Sequence, residues 1–295
     1  MKHKFSILLF IAIALCIYSC SSKDSGKPII TVSLEPQKYF LDKIVGDKFE
    51  VACLLEKGAN PESYEPTMKN LMDIDKSAAY IKMGNVGFEQ VIIDKIKQNN
   101  NSLAIYNASE GIDFLTGTHD CCNHHHEGEE HHHHEASIDP HTWTSVKNAK
   151  VIAKNMYDVV VKIDPTNKDL YKSNYDQLAA SLDSLDNYAS SKLAAHKGEA
   201  FMVWHPSLSY FARDYGLEQI TIGQIGKELS AHQLQTQIEN ARNHKAHVFF
   251  FQKEFDSQQA SVVNDQIGAT MITINPLSYD WEAEIRLIID AITSK

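Results

Sequence analysis

Short apolar runs alternate with helical periodicity along most of the chain. Residues 28–34, 49–55, 78–83 and 103–107 read as strands, with helices over 36–46 and 88–98 between them. The pattern resumes after Gly198, with strands over 200–204, 218–222, 248–252 and 271–274 and helices over 207–215, 230–244, 257–268 and 281–292. Strands alternating with helices predict parallel βα units. The centre of the chain differs. Val146, Ala149, Ile152, Ala153, Met156, Val159 and Val160 recur at three and four, which predicts an amphipathic helix over 145–162. Asp164-Pro165 stops it. A second helix follows from about Asn167 to His196, roughly 45 Å long at 1.5 Å per residue. A helix of that length can bridge two lobes; the alternative is a helical hairpin packed on one domain. The bridged arrangement predicts an α/β protein of two lobes joined by a long rigid helix: an N-terminal lobe over 28–144, a helical connection over 145–197 and a C-terminal lobe over 198–295. Ligands in open α/β sheets bind beyond the carboxyl ends of the strands, so two facing lobes direct attention to the cleft between them.

Two segments stand outside this pattern. Lys2 and Lys4 precede an apolar run from Phe5 to Tyr18 that only Ser6 interrupts. It is too short to span a bilayer and reads as a secretory signal over residues 1–19. It ends in Ile17-Tyr18-Ser19-Cys20 before polar Ser21-Ser22-Lys23-Asp24, which resembles a bacterial lipobox with Cys20 as the lipidated residue. Simple cleavage without lipid is the alternative. Cys16 is a poorer candidate because Leu15, not a small residue, precedes it. Residues 116–137 carry no hydrophobic periodicity and are expected to form a loop.

Composition sharpens the chemistry. The 295 residues are 43% hydrophobic with a formal charge of −10, enough apolar material for a core and the wrong sign for general nucleic-acid binding. Of five cysteines, Cys53 falls in an apolar run and Cys121 and Cys122 in the loop, so no disulfide framework is expected. Eight of the fifteen histidines lie in the loop: His119, His124, His125, His126, His131, His132, His133 and His134. Imidazoles, thiols and carboxylates together describe a multi-metal binder with interchangeable ligands. Three further donors sit at strand-to-helix junctions beside prolines: Glu62 after Pro61, His141 after Pro140 and His205 before Pro206. A neighbouring proline restricts the backbone and helps hold a donor in place.

The motifs Gly58-Ala59-Asn60-Pro61-Glu62-Ser63-Tyr64-Glu65-Pro66, Asp139-Pro140-His141-Thr142-Trp143, His205 ahead of Tyr210-Phe211, and Phe250-Phe251-Gln252-Lys253-Glu254-Phe255 with Asn275-Pro276-Leu277 fall in one order. In this the chain resembles the zinc/manganese solute-binding proteins of bacterial ABC importers from about residue 29 onward. The resemblance implies two α/β lobes bridged by a rigid helix, with Zn²⁺ or alternatively Mn²⁺ held in the cleft. It implies His141 and His205 as ligands, with Glu62 where the family normally has histidine. Asn275 stands where manganese members often have aspartate, with Asp280 nearby as a substitute or water to complete the site, and Glu65 in reserve for Glu62. It further implies an exported, lipid-anchored or periplasmic monomer that passes metal to a membrane permease. A rival of another class is a zinc hydrolase, since two histidines and a carboxylate with an open position can activate water. No H-E-x-x-H, general base or serine elbow supports it. A third reading, metal storage or adhesion through the loop alone, gives the cleft no role.

Overall fold

In a computed structural model, residues 26–99, 102–117, 137–223, 231–253, 255 and 257–294 are described. The signal segment, Cys20 and every donor of the histidine-rich loop lie outside them.

The first lobe contains β1 (Ile29–Val32), α1 (Glu35–Val45), β2 (Glu50–Cys53), α2 (Met68–Asp75), β3 (Ala79–Lys82), α3 (Gly87–Asn99) and β4 (Ile105–Asn107). Its sheet is parallel, in the order β2-β1-β3-β4. The second lobe contains β7 (Ala200–Val203), α6 (Ser209–Tyr215), β8 (Glu218–Thr221), α7 (Ala231–Asn243), β9 (Val248–Gln252), α8 (Ser257–Ile267), β10 (Thr270–Ile274) and α9 (Trp281–Thr293). Its parallel sheet, β10-β9-β7-β8, repeats the winding of the first. In each lobe the first strand is central and the chain then crosses to its other side. That reversal opens a crevice at the carboxyl ends, between β1 and β3 in one lobe and between β7 and β9 in the other. All four residues of β7 and all five of β9 are buried, as expected of strands covered on both faces.

Between the lobes run α4 (Val146–Ile163) and α5 (Lys168–Leu193). Ser145 caps α4 by accepting a hydrogen bond from the Asn148 N–H at 3.1 Å. The apolar stripe of α4 is buried throughout. The joining helix is shorter than the periodicity predicts, because 3₁₀ turns over Pro165–Asn167 and Ala194–His196 take up both ends. It packs against α4, α1 and α9. The helical pair is therefore both a hairpin and a bridge. One apolar cluster runs continuously from Ile30 and Phe40 through Ile152, Tyr171 and Leu185 to Phe201, Phe250 and Trp281, tying the lobes together. A second cluster, with Met202, Ile220 and Phe249, fills the far face of the second sheet.

Two local features depart from the sequence expectation. Helix α2 was not predicted; it is only eight residues long and buries only Leu71 and Ile74. At the two ends of the expected loop over 116–137, β5 (Thr116–Gly117) pairs antiparallel with β6 (Ser137–Ile138). Cys53 packs against the core, and burial, aided by the neighbouring Glu35 carboxylate, pushes its thiol up to about 12.

Candidate metal centre

Three loops converge on one point. After β2, a turn in which Glu62 N–H donates to Asn60 Oδ1 at 2.9 Å presents the Glu62 carboxylate. Tyr64 anchors this turn by donating to the Leu54 carbonyl at 2.9 Å and packing edge-on against Phe88. After β6, Asp139-Pro140 delivers His141, and after β7 the chain runs through Trp204 into His205 and Pro206. One donor atom from each of Glu62, His141 and His205 lies within 4.8 Å of the others. His205 Nε2 is 3.0 Å from Glu62 Oε1 and 3.1 Å from His141 Nε2. Donors at 2.0–2.1 Å from a tetrahedral zinc stand about 3.3 Å apart, so these separations need to open by only a few tenths of an ångström. Among the described residues this is the sole group of three or more such donors. The pocket there is ion-sized, with room of about 10 Å³, and is walled by Trp143, Phe255, Pro276 and Leu277.

The two histidines are electrostatically unlike. Asp139 Oδ1 takes hydrogen bonds from the His141 main-chain N–H at 2.9 Å and from its ring Nδ1 at 2.8 Å. This fixes Nδ1 as the protonated nitrogen and leaves the Nε2 lone pair toward the cluster. Burial pushes the Asp139 carboxyl up, but its hydrogen bonds and charge attraction with His141 outweigh that and hold it below the ordinary value. Tyr210 secures the same turn, its hydroxyl donating to the Asp139 carbonyl at 2.7 Å and accepting the Leu115 N–H at 3.2 Å. His205 is 7% exposed. Burial, opposed by Glu62 and reinforced by His141, lowers its pKa, so the imidazole is neutral at pH 7. A neutral imidazole is the form that binds a metal.

The cleft is braced from below. Trp143 Nε1 donates to the Pro276 carbonyl at 2.9 Å, and Trp281 Nε1 donates to the Trp143 carbonyl at 2.8 Å. Both indoles are buried and cross from one lobe to the other.

The remaining candidates do not join the cluster. Asp280, expected as a fourth donor, is not in that group: it stands at the head of α9, where its N–H donates to Ser278 Oγ, and it lines an inter-lobe cavity of about 640 Å³. Asn275 lines the same cavity and spends its Oδ1 on the Leu277 N–H at 3.2 Å. Glu65 is exposed on the turn beyond Glu62 and outside the group. Sequence reasoning passed over Asp139, Trp143 and Gln252 as supports of the site. Asp139 alone carried a signal, two residues before a candidate ligand.

Two lobes of like winding, a rigid helical spine and an ion-sized nest of two imidazoles and a carboxylate between them define a metal-binding solute receptor. A family model described as zinc-uptake complex component A, periplasmic, matches residues 30–293, and the chain belongs to that family. It is similar to the high-affinity zinc uptake system protein ZnuA of Bacillus subtilis, at 32% identity over 91% of this chain and 85% of that protein. It is also 27% identical to the zinc-binding lipoprotein AdcA of Streptococcus pneumoniae over 93% of this chain, which spans 55% of that longer protein. Among solved structures, a crystal structure of ZnuA superposes with a TM-score of 0.80 at 30% identity, over 91% of this chain and 98% of that one. A zinc-bound deletion mutant of ZnuA gives 0.78 at 31% identity, over 92% and 100%. The family is one of solute-binding receptors, which sets the hydrolase reading aside.

Proposed function

We propose that this protein is the extracytoplasmic receptor of a zinc ABC importer, capturing Zn²⁺ through Glu62, His141 and His205 and delivering it to a membrane permease. The observation that carries this is the meeting of those three donors, contributed by three separate loops, with Asp139 already setting the His141 tautomer. Two imidazole nitrogens favour zinc over manganese, which prefers carboxylate, carbonyl and water oxygens. A fourth position remains for water or for a group of the docking partner. The names of the relatives support zinc as cargo, since ZnuA and AdcA are described as zinc-uptake and zinc-binding proteins.

The brace under the cleft supports capture without large lobe closure. Glu62 is the outermost donor, its side chain 31% exposed against 8% for His205. It stands on a turn, and is the natural point at which the ion enters and leaves. The histidine-rich segment between β5 and β6 gathers metal at lower affinity and raises its local supply. Lipid on Cys20 tethers the receptor beside its permease. Among the described residues no helix is long and apolar enough to cross a membrane.

The test is a competition titration on protein starting at Ser21 with residues 119–135 deleted, against a Glu62→Ala/His141→Ala/His205→Ala control. One tight zinc per chain that vanishes in the control supports the receptor. Manganese winning the competition changes the cargo. Loss of all tight binding on deleting the loop leaves storage by the loop as the function.

A further inference from the structure

The two histidines are held by different means. His141 is gripped at its ring, where Asp139 takes the Nδ1 proton. His205 has no such grip: its Nδ1 is buried without a hydrogen-bond partner. Its ring is bounded by Phe255 and by His141, with centroids 5.4 and 4.9 Å away. Apart from Glu62, itself a donor of the cluster and 3.0 Å from Nε2, the direction of that nitrogen is set by these two rings and by the main chain at residue 205.

That main chain is clasped by one side chain. Gln252, fully buried at the end of β9, accepts the His205 N–H on Oε1 at 3.2 Å and donates from Nε2 to the His205 carbonyl at 2.6 Å. The second proton of the same amide goes to Ser207 Oγ at 2.7 Å. Only a primary amide offers an acceptor and two donors side by side. The register explains the need. Val203 faces Phe250 in the β7–β9 ladder, and Trp204 N–H donates to the Phe250 carbonyl at 3.0 Å. Pro206 has no N–H with which to extend the ladder. Beyond Trp204 the Gln252 amide replaces it, at the crevice where the winding reverses. The first lobe uses the same device at the equivalent crevice: Gln37 accepts the Ser33 and Leu34 N–H groups and donates to the Ile81 carbonyl, bridging β1 to β3. In the second lobe the clasped residue is a metal donor.

We propose that Gln252 is a positioning residue for metal capture, doing for His205 through the main chain what Asp139 does for His141 through the ring. This rests on the receptor reading above. Gln37 supplies a matched control: it too is fully buried and clasps main chain at a crevice, and none of its partners is a metal donor.

The experiment uses the mature full chain, unsubstituted and as Gln252→Ala and Gln37→Ala. The tightest zinc equivalent is measured by chelator competition, the cobalt-substituted site by its visible absorption, and stability by urea unfolding of the metal-free protein. The expected result is a roughly 10- to 100-fold weaker zinc affinity and a shifted cobalt band for Gln252→Ala, with both unchanged in Gln37→Ala. If Gln252→Ala does not fold, Gln252→Glu keeps the volume and the acceptor but donates nothing, and the same loss is expected. Unchanged affinity and cobalt spectrum in the Gln252 variant overturn the proposal. So does a loss of affinity that merely tracks stability across both glutamines. A wild-type chain without tight zinc overturns the receptor reading as well, so the two failures are told apart.

Discussion

Replacing Asp139 with alanine tests how the site sets its ligands in advance. The carboxylate is 9% exposed as a side chain and takes both the ring and the main-chain proton of His141 on a single oxygen. Its removal frees the ring to rotate, lets either nitrogen carry the proton and weakens the ligand's basicity. Outer partners of metal-bound histidines are worth about 10- to 100-fold in affinity, or about 1.4–2.8 kcal/mol. Asp139→Ala is expected at the upper end, because the buried ring N–H also loses its acceptor. Asp139→Asn keeps an acceptor oxygen but not the charge, and its loss is expected to stay near the lower end. Zinc competition titration measures both, and circular dichroism verifies the fold. Wild-type affinity in Asp139→Ala would refute the claim that this carboxylate orients His141. Equal losses in the two variants would refute the role assigned to its charge.

His205→Ala removes one of three protein donors and is expected to weaken the cleft site about 100- to 1,000-fold, read by the same titration. Zinc affinity of the wild type should fall as pH drops below about 6.5, the ordinary imidazole value, beneath which burial holds His205; equal affinity at about pH 7.5 and 4.5 would exclude histidine ligation. Trp143→Phe leaves the Pro276 carbonyl without its indole donor and thins the brace beneath the cleft. It is expected to cost about 2–4 kcal/mol in urea unfolding. Glu89 is 2% exposed and accepts the Met83 and Gly84 N–H groups at 2.6 and 2.9 Å, yet burial raises its pKa above the ordinary value in spite of them. A folded pKa above the unfolded one contributes stability that is present below the unfolded value and lost as pH rises through the folded one. The stability of wild type relative to Glu89→Gln should therefore decline between pH 4 and pH 8, and a flat difference would contradict the direction of that shift.

Much of the architecture is local and so can be read along the chain. Strand β9, Val248–Gln252, lies where its apolar run places it, and α4 buries each of the seven residues that its periodicity selects. Burial on both sheet faces and on one helical stripe imposes spacings that need no knowledge of partners. Helix α2 was hidden because its eight residues make little more than two turns, too few for a repeat to stand out. Of the site, the donor types were legible because proline neighbours set them in stiff junctions. Their meeting was not, since Glu62, His141 and His205 are brought together by three loops far apart in sequence. Asp280 illustrates the limit. It and Asn275, a few residues apart in sequence, both line the larger inter-lobe cavity and not the cluster, and nothing in the local sequence marks that outcome. Local sequence decides which residues can bind a metal. The joint burial of helices and sheets decides which of them share one point in space, because that choice depends on contacts spread over the whole chain.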